Sequence, residues 1–267
     1  MAEILLHTQL RRLHLSGMLE TVEARLRQAG EERWGFTDFL ERLLNDESEA
    51  RAQQQLAKRL QRANLHPDKT IERFDFSFNP QINRGLILEL STGQFVARHA
   101  PVLIVGPTGT GKTHLAQALA HQACLKGYDT VYVNTATLLT SLALAKLKGT
   151  YARKLKRLVR LPVLVLDDFG LKPLRNTDSE VFYDVIAGRY ESGSTIITSN
   201  HALDEWPTLF GDPLLASSGL DRLFHNAYVI TITGASFRAR NRHLASATDP
   251  SAKVSKTVGS GSKEVTA

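Results

Sequence analysis

The stretch that decides the fold is Val102-Leu103-Ile104-Val105-Gly106-Pro107-Thr108-Gly109-Thr110-Gly111-Lys112-Thr113. Its first four residues are apolar and mostly β-branched, which is typical of a strand buried on both faces. The next eight match the pattern G-x-x-x-x-G-K-[ST] in full, and a helical segment over 113–126 follows. Glycines in such a loop let backbone N–H groups approach phosphate oxygens, and the helix N-terminus adds a favourable dipole. The stretch therefore predicts a strand, a phosphate-binding loop and a helix, in preference to a glycine-rich turn without a ligand.

The candidate nucleotide-binding residues are consecutive along this loop and the start of the helix. They are Gly106, Pro107, Thr108, Gly109, Thr110, Gly111, Lys112, Thr113 and His114. We expect Lys112 to contact the β- and γ-phosphates and to act in catalysis, and Thr113 to ligate Mg²⁺. The predicted ligands are therefore ATP and Mg²⁺.

Four further apolar runs outline a sheet, at 130–133, 163–166, 195–198 and 228–232. Each run is short, rich in β-branched residues and continuously apolar, as parallel strands covered on both faces are. Helical segments separate the runs, so the chain repeats a βα unit. This pattern predicts an α/β fold with a doubly wound parallel sheet of five strands.

Two carboxylates, Asp167 and Asp168, follow the apolar run 163–166. Ligands of open α/β sheets bind at the carboxyl ends of the strands. We expect Asp167 to hold Mg²⁺ through water, and Asp168 to orient or deprotonate the attacking water. An isolated pair of aspartates would more often cap a following helix, but the phosphate-binding loop favours the catalytic interpretation.

Three polar side chains further along the chain are weaker candidates. Asn200 follows the run 195–198, and its amide could contact both the γ-phosphate and the attacking water. Arg222 and Arg238 carry guanidinium groups of the kind that neutralise charge on γ-phosphate oxygens. Spacing alone does not distinguish these two arginines from ordinary surface arginines.

The regions that flank the predicted sheet have different compositions. Residues 1–75 are helical in pattern, and six apolar residues fall near one helical face: Leu6, Leu10, Leu13, Met18, Val22 and Leu26. A second helix is predicted to begin after Thr37, as its N-cap, and to run towards Leu60. Residues 246–267 are rich in Ser, Thr, Gly and Lys and are expected to be disordered. We therefore divide the chain into a helical partner- or DNA-binding region (1–75), a nucleotide-binding domain (76–245) and a tail (246–267).

Composition bounds the class of protein. Of the 267 residues, 42% are hydrophobic and 22% are charged, which is enough apolar material for a folded core. The single cysteine, Cys124, excludes an intrachain disulfide and a cysteine-based zinc site, and we expect it to be buried and inert. The chain has no apolar run of membrane-spanning length and no secretory pattern at its start, so a cytoplasmic protein without membrane contact is expected. A net charge of +6 favours a polyanionic partner.

A basic segment over 146–160 contains seven cationic residues and no acidic one. They are Lys146, Lys148, Arg153, Lys154, Lys156, Arg157 and Arg160. Such cations could neutralise DNA phosphates, although a solvated helix face is the usual explanation of a run of charge. A second candidate patch consists of Arg51, Lys58, Arg59 and Arg62. Because no base-reading motif is evident, any sequence preference is expected to be weak.

The order of these motifs resembles that of AAA+ ATPases: a phosphate-binding loop, a strand ending in two aspartates, a strand ending in asparagine, and two spaced arginines. Segments 111–116, 166–170, 189–191 and 195–200 narrow the resemblance to the DnaA/DnaC/IstB branch. The N-terminal helical region, the segment 76–80 and the chain length are most similar to IstB-type proteins. These are the ATPase helpers of a bacterial insertion-sequence family, and the resemblance covers about residues 5–245.

The resemblance implies roles for residues that spacing leaves undecided. Asn200 matches the sensor-1 position, Arg222 the arginine finger that acts on the ATP of a neighbouring subunit, and Arg238 the sensor-2 arginine of the same subunit. The acidic strand of AAA+ proteins usually ends Asp-Glu, whereas this chain has Asp167-Asp168. The shorter Asp168 could imply slow hydrolysis, although the variant is usual in the DnaC/IstB branch. Replication-initiator relatives carry an inserted helix that lines a DNA channel at the place of the basic segment.

The function implied is that of a homo-oligomeric ATPase that assembles on double-stranded target DNA, deforms it, and recruits a transposase encoded nearby. ATP hydrolysis would reset the complex. Two alternatives stay open: a DnaC-like replicative helicase loader, and a nucleotide-gated structural DNA clamp with negligible turnover. The identity of the neighbouring gene distinguishes a transposition helper from a helicase loader. An ATPase assay with and without DNA distinguishes an enzyme from the structural clamp. The segment 78–80 is a candidate wall of the adenine pocket.

Overall fold

The computed structural model describes residues 2–234 and 236–237 of the chain. Arg238 and the predicted tail over 246–267 lie outside these residues. Within the described part, no helix is both long and apolar enough to cross a membrane.

A single sheet of five parallel strands forms the centre of the molecule. The strands are β1 (Val102–Val105), β2 (Thr130–Asn134), β3 (Val163–Phe169), β4 (Ser194–Ser199) and β5 (Tyr228–Thr231). Their order across the sheet is β2-β3-β4-β1-β5, and every neighbouring pair is parallel. The structure therefore confirms the predicted α/β fold with a five-stranded parallel sheet.

Helices connect the strands and cover both faces of the sheet. In chain order they are α1 (Ala2–Arg12), α2 (Ser16–Glu32), α3 (Phe36–Ala63), α4 (Arg84–Ser91), α5 (Gln94–Ala97), α6 (Lys112–Leu125), α7 (Thr135–Leu147), α8 (Tyr151–Val159), α9 (Asn176–Arg189), a 3-10 helix (Leu203–Leu209) and α10 (Pro213–Phe224). Alternate residues of β1 enter opposite core layers, as strand geometry requires: Val102 and Ile104 belong to one layer, Leu103 and Val105 to the other. The continuous apolar runs at β1, β3 and β4 arise because both faces of these central strands are buried, whereas the edge strands β2 and β5 are partly exposed.

The N-terminal helices pack around a small apolar core of Leu10, Met18, Val22 and Leu43. The predicted continuous apolar face is interrupted, because His14 has a left-handed backbone with φ of 56° between α1 and α2. Leu6, Leu13 and Leu26 are consequently exposed. The predicted N-cap at Thr37 is wrong: α3 begins at Phe36 after Gly35, so Thr37 lies inside the helix.

The end of α3 and the segment after it are attached to the nucleotide-binding domain. The Arg59 guanidinium donates to the Asp129 carboxylate at 3.3 Å and to the backbone oxygen of Cys124 at 3.4 Å. The backbone N–H of His66 donates to the Gln117 side chain at 2.8 Å. Cys124 is buried, and its burial raises the pKa of the thiol, which keeps it in the less reactive protonated form.

Candidate nucleotide site

The loop between β1 and α6 folds closely against neighbouring backbone, and two glycines make this possible. Gly106 has φ of 147°, and a Cβ there would lie 2.0 Å from the backbone oxygen of Ile232. Gly111 has φ of 100°, and a Cβ there would lie 2.8 Å from the Phe74 ring. The loop therefore requires glycine at these positions for both conformation and space.

Lys112, the first residue of α6, is only 6% exposed although it carries a charge. Its ammonium donates to the backbone oxygen of Pro107 at 2.7 Å, so the Lys112 side chain spans the loop that precedes α6. The loop is held from outside as well, because the Asn79 amide donates to the backbone oxygen of Thr110 at 3.2 Å. A cation is thus positioned where backbone N–H groups of the helix start also converge, an arrangement suited to phosphate.

Asp167 is almost completely buried and accepts hydrogen bonds from three hydroxyl groups. The donors are Thr113 at 2.9 Å, Tyr132 at 2.6 Å and Thr198. Burial, followed by the hydrogen bond to Asp167, raises the pKa of Tyr132, so its hydroxyl stays protonated as a donor. The structure brings Thr113 and Asp167 together from distant parts of the chain. Hydroxyl and carboxylate oxygens are the ligands that Mg²⁺ prefers, so this pair fits the ion.

Asp168 has a left-handed backbone with φ of 57°, which is uncommon for a residue with a side chain. The pairing of β3 with β4 shifts register between Leu166 and Phe169, so one extra residue is accommodated there. Two polar groups hold Asp168 in this bulge: its N–H donates to the Thr198 hydroxyl at 2.9 Å, and its carboxylate accepts from the Asn134 amide at 3.3 Å. Because of the bulge, the two aspartate side chains have different surroundings. Asp168 lines the adjoining cavity, whereas Asp167 is buried.

A cavity of about 330 Å³ extends from the loop, within the size range of ligand sites. Residues 108–114, Asp168 and Asn200 line one side. The structure therefore brings Asn200 to the same cavity as Asp168 and the loop, as predicted.

Other lining residues of the cavity come from the segment that precedes α4, which contains several aromatic rings. Phe74 and Phe78 line the cavity, and Phe78 meets Phe237 edge-on with ring centroids 5.1 Å apart. His114 packs against Phe74 at 5.2 Å and contacts the backbone oxygen of Thr70, and burial lowers its pKa. Of the three residues predicted as an adenine wall, Phe78 and Asn79 line the cavity and Pro80 is not among the lining residues.

Arg222 does not line this cavity. It lies in the last turn of α10, where its guanidinium donates to the backbone oxygen of Ser218 at 2.8 Å. It borders a small depression of about 40 Å³ together with Pro101 and Thr195. Pro101 precedes β1 and Thr195 lies at the start of β4, so this depression is at the amino ends of the strands, opposite the nucleotide loop. Arg222 cannot reach the cavity of its own subunit.

The basic segment forms the end of α7, a turn, and α8, and all seven of its cationic residues are exposed. Two of them have local partners: Lys146 forms an ion pair with Glu180 of α9 at 3.1 Å, and Lys154 donates to the backbone oxygen of Ser141 at 3.2 Å. In the second candidate patch, Arg51 and Arg59 are paired with Glu47 and Asp129. The segment 146–160 therefore keeps more unpaired positive charge than the patch on α3.

Sequence reasoning missed several residues that organise this site. Tyr132, Asn134 and Thr198 hold the two aspartates, and Phe74 packs under the loop. Tyr132 and Thr198 lie inside apolar runs that indicated only buried strands. The one available signal was that a polar side chain within or after such a run costs free energy unless it is hydrogen-bonded.

The parallel strand order, the loop after β1 and the acidic pair in β3 define the class of the protein: it has the α/β P-loop NTPase fold of AAA+ proteins. Two solved structures share this fold. DnaI matches with a TM-score of 0.54 and 24% identity, over 61% of this chain and 90% of that chain. DnaA bound to AMPPCP and single-stranded DNA matches with a TM-score of 0.53 and 22% identity, over 68% of this chain and 56% of that chain.

The comparison with family models identifies the protein more closely than the fold does. Residues 8–245 match the family described as IstB-like ATP binding protein, and the chain belongs to this family. A protein named for ATP binding in insertion sequence IS21 of Pseudomonas aeruginosa is 36% identical over 90% of this chain and 91% of its own length. A similarly named insertion-sequence protein of Mycobacterium tuberculosis is 35% identical over 89% of this chain and 95% of its own length.

Proposed function

We propose that this protein hydrolyses ATP with Mg²⁺ in the cavity beside β1, and that the nucleotide state controls its action on target DNA during transposition of an insertion sequence. The observation that carries the ATPase proposal is the convergence of Lys112, Thr113, Asp168 and Asn200 on one cavity, with the buried Asp167 hydrogen-bonded to Thr113 behind it. These groups come from the ends of two strands, β3 and β4, and from the start of α6, and each has a chemically distinct task.

The tasks follow from position and charge. The loop N–H groups and Lys112 bind the phosphates, and Lys112 neutralises charge on the β- and γ-phosphates. Thr113 and Asp167 would hold Mg²⁺, which supplies charge neutralisation between the phosphates when it is bound. Asp168 aligns a water molecule and accepts its proton as the water oxygen bonds to the γ-phosphorus and the bond to ADP breaks. The Asn200 amide orients the same water and the γ-phosphate.

The position of Arg222 supports assembly through nucleotide sites. A guanidinium at the edge of the sheet opposite its own cavity can serve a second subunit whose cavity faces that edge. Arg222 thus acts as an arginine finger in trans, and the active form is a homo-oligomer. Arg238, the proposed sensor-2 residue, serves the nucleotide of its own subunit.

DNA binding is assigned to the basic segment 146–160. Its exposed cations neutralise phosphates of double-stranded DNA and release counterions. Membership of the IstB-like family supports a role beside a transposase encoded by the same insertion sequence. In this role the ATP-bound assembly deforms target DNA and recruits the transposase, and hydrolysis resets the assembly.

Steady-state phosphate release with ATP and Mg²⁺, measured with and without duplex DNA, tests the proposal directly. We expect turnover that depends on Mg²⁺ and on Lys112. Turnover no faster than that of a Lys112→Ala preparation, with DNA binding that still depends on ATP, would favour the nucleotide-gated clamp. Binding to a replicative helicase instead of the transposase in a pull-down with purified partners would favour the helicase loader.

A further inference from the structure

The helix α7 is partly exposed yet carries almost no charge. Its buried side contributes Leu138, Leu139, Leu142 and Ala145 to the core. The opposite side presents Thr137, Thr140, Leu144 and Leu147, spaced three and four residues apart as neighbours on one helical face are. Leu144 is 50% exposed and Leu147 is 85% exposed.

This exposed stripe differs from an ordinary solvent-facing helix surface, which carries charged or strongly polar side chains. The only charged residue of α7 is Lys146. The Thr140 hydroxyl donates a hydrogen bond to the backbone oxygen of Ala136 within the helix. A helix whose outer side carries leucines and uncharged threonines in place of charged residues is normally covered on that side as well. The uncovered side of α7 therefore indicates a binding partner.

The basic residues that follow Leu147 in the chain indicate that the partner is negatively charged. Leu147 ends α7, and a turn through Gly149, with φ of 66°, leads directly into α8. This turn is fixed by two backbone hydrogen bonds. The Gly149 N–H donates to the backbone oxygen of Lys146, and the Thr150 N–H donates to the backbone oxygen of Ala145. Five nearby cations make no ion pair with any described residue: Lys148, Arg153, Lys156, Arg157 and Arg160. An exposed leucine thus lies at the tight turn that leads into a helix with unpaired cations, which attract a polyanion.

We propose that Leu147, supported by Leu144, is an apolar wedge that enters a groove of duplex DNA and partly unstacks a base-pair step. The proposal rests on DNA binding by the basic segment, whose cations would hold the phosphates on either side of the wedge. Leucine is among the side chains that kink DNA in this way. A second copy of this chain fits the surface less well, because it would bring the same basic segment and a further net charge of +6.

A wedge gives the protein a means to deform DNA and a preference that does not need base-specific hydrogen bonds. Unstacking is easiest at flexible pyrimidine–purine steps and hardest in stiff A-tracts. Binding should therefore favour duplexes with a TA step over A-tract duplexes of equal length and charge. Loss of the wedge should remove this preference.

Duplexes that carry 2-aminopurine beside a central TA step, with a fluorescence donor and acceptor at the two ends, test the proposal. The full-length protein with ATP and Mg²⁺ should raise 2-aminopurine fluorescence and bring the DNA ends together. Leu147→Ala should lose most of both signals, while affinity falls only about tenfold, because the lost leucine contact is offset by the unstacking cost that is no longer incurred and the phosphate contacts remain. Leu88→Ala, which shortens a leucine that is 48% exposed on α4, should behave as wild type.

A Leu147→Lys variant separates the wedge from electrostatics. It should bind DNA at least as tightly, with a salt slope steeper by about one unit, and yet fail to unstack the TA step. Normal unstacking or bending by Leu147→Ala overturns the wedge while leaving DNA binding intact. Altered subunit assembly of Leu147→Ala without DNA would also overturn it and assign the stripe to a second copy. If wild-type protein does not bind duplex DNA at all, the proposed DNA-binding function fails together with the wedge.

Discussion

The nucleotide cavity and the surface formed by α7 and α8 are built around the same sheet. They differ in how many of their polar side chains are hydrogen-bonded or paired within the protein. Beside the cavity, Asp167 is 3% exposed and accepts from three hydroxyls. On the α7–α8 surface, charged side chains point to solvent and Leu147 is largely exposed. The cavity is organised before a ligand arrives, which is what electrostatic catalysis requires. In our proposal, the α7–α8 surface is completed only when DNA binds.

The largest expected effect concerns a residue outside both regions. Arg222→Ala should reduce ATP hydrolysis by the assembled protein by about 10³-fold, the lower end of what an arginine finger contributes. ATP binding should be unchanged, because Arg222 lies at the opposite edge of the sheet. Steady-state turnover and nucleotide titration measure the two quantities, and Arg98→Ala, at the same depression, is the matched control.

Mixed assemblies sharpen this test of action in trans. Arg222→Ala subunits retain an intact loop, and Lys112→Ala subunits retain an intact finger. Mixing the two should restore part of the activity at interfaces that combine both intact halves. No recovery in mixtures shown to co-assemble would count against a role in the neighbouring site.

Asp168→Asn tests whether the organised cavity is catalytic. We expect hydrolysis to fall about 10²-fold, the lower end of what a general base contributes, while ATP stays bound, because the amide cannot accept the proton. Asparagine tolerates the left-handed backbone at this position, so the bulge should persist. Rapid-quench measurement of a single turnover separates chemistry from product release, with Asp204→Asn as an exposed control. Normal turnover would make Asp168 a structural residue.

Lys112→Ala removes the cation that crosses the loop. ATP affinity should fall about a hundredfold or more, because several charge-assisted hydrogen bonds to phosphate are lost together. Calorimetric titration with a non-hydrolysable analogue measures this loss. Lys126→Ala, an exposed lysine just after α6, should bind as wild type. Unchanged affinity in Lys112→Ala would disprove the phosphate-binding assignment.

Removing cations from the α7–α8 surface should change the salt dependence of DNA binding and leave ATP binding unchanged. Replacing Lys154, Lys156 and Arg157 by alanine should make the log–log salt slope of DNA binding shallower by up to about three units. ATP affinity should be retained. The matched variant replaces Arg51, Lys58 and Arg62 instead. If only the matched variant alters the slope, DNA contacts the α3 patch.

The smallest expected effect is at one of the three hydroxyls that hold Asp167. Tyr132→Phe removes a hydrogen bond of about 1 kcal/mol and should raise the Mg²⁺ concentration needed for half-maximal turnover by a few-fold. Tyr128→Phe is a control in the same part of the fold. Equal Mg²⁺ dependence in both variants would show that Thr113 and Thr198 suffice to orient Asp167.

Local patterns predicted most of the fold and part of the site. The five apolar runs correspond to β1–β5. The runs of β1, β3 and β4 are continuous because these central strands are buried on both faces, whereas the edge strands β2 and β5 are partly exposed. The helix start at Thr37 was predicted wrongly, because a threonine that can cap a helix can also lie inside one. The break between α1 and α2 depends on the backbone of His14, which apolar spacing does not report.

The sequence by itself determined the loop 106–113, the two aspartates and the strands that carry them, because each of these is a run of adjacent residues with one chemical requirement. Only the tertiary structure decided which side chains hold Asp167 and Asp168. Tyr132, Asn134 and Thr198 reach them because β2 and β4 flank β3, and because a bulge in β3 shifts the register with β4. Strand order and register depend on packing across the whole sheet, so contacts between residues about 30 positions apart cannot be read from local spacing.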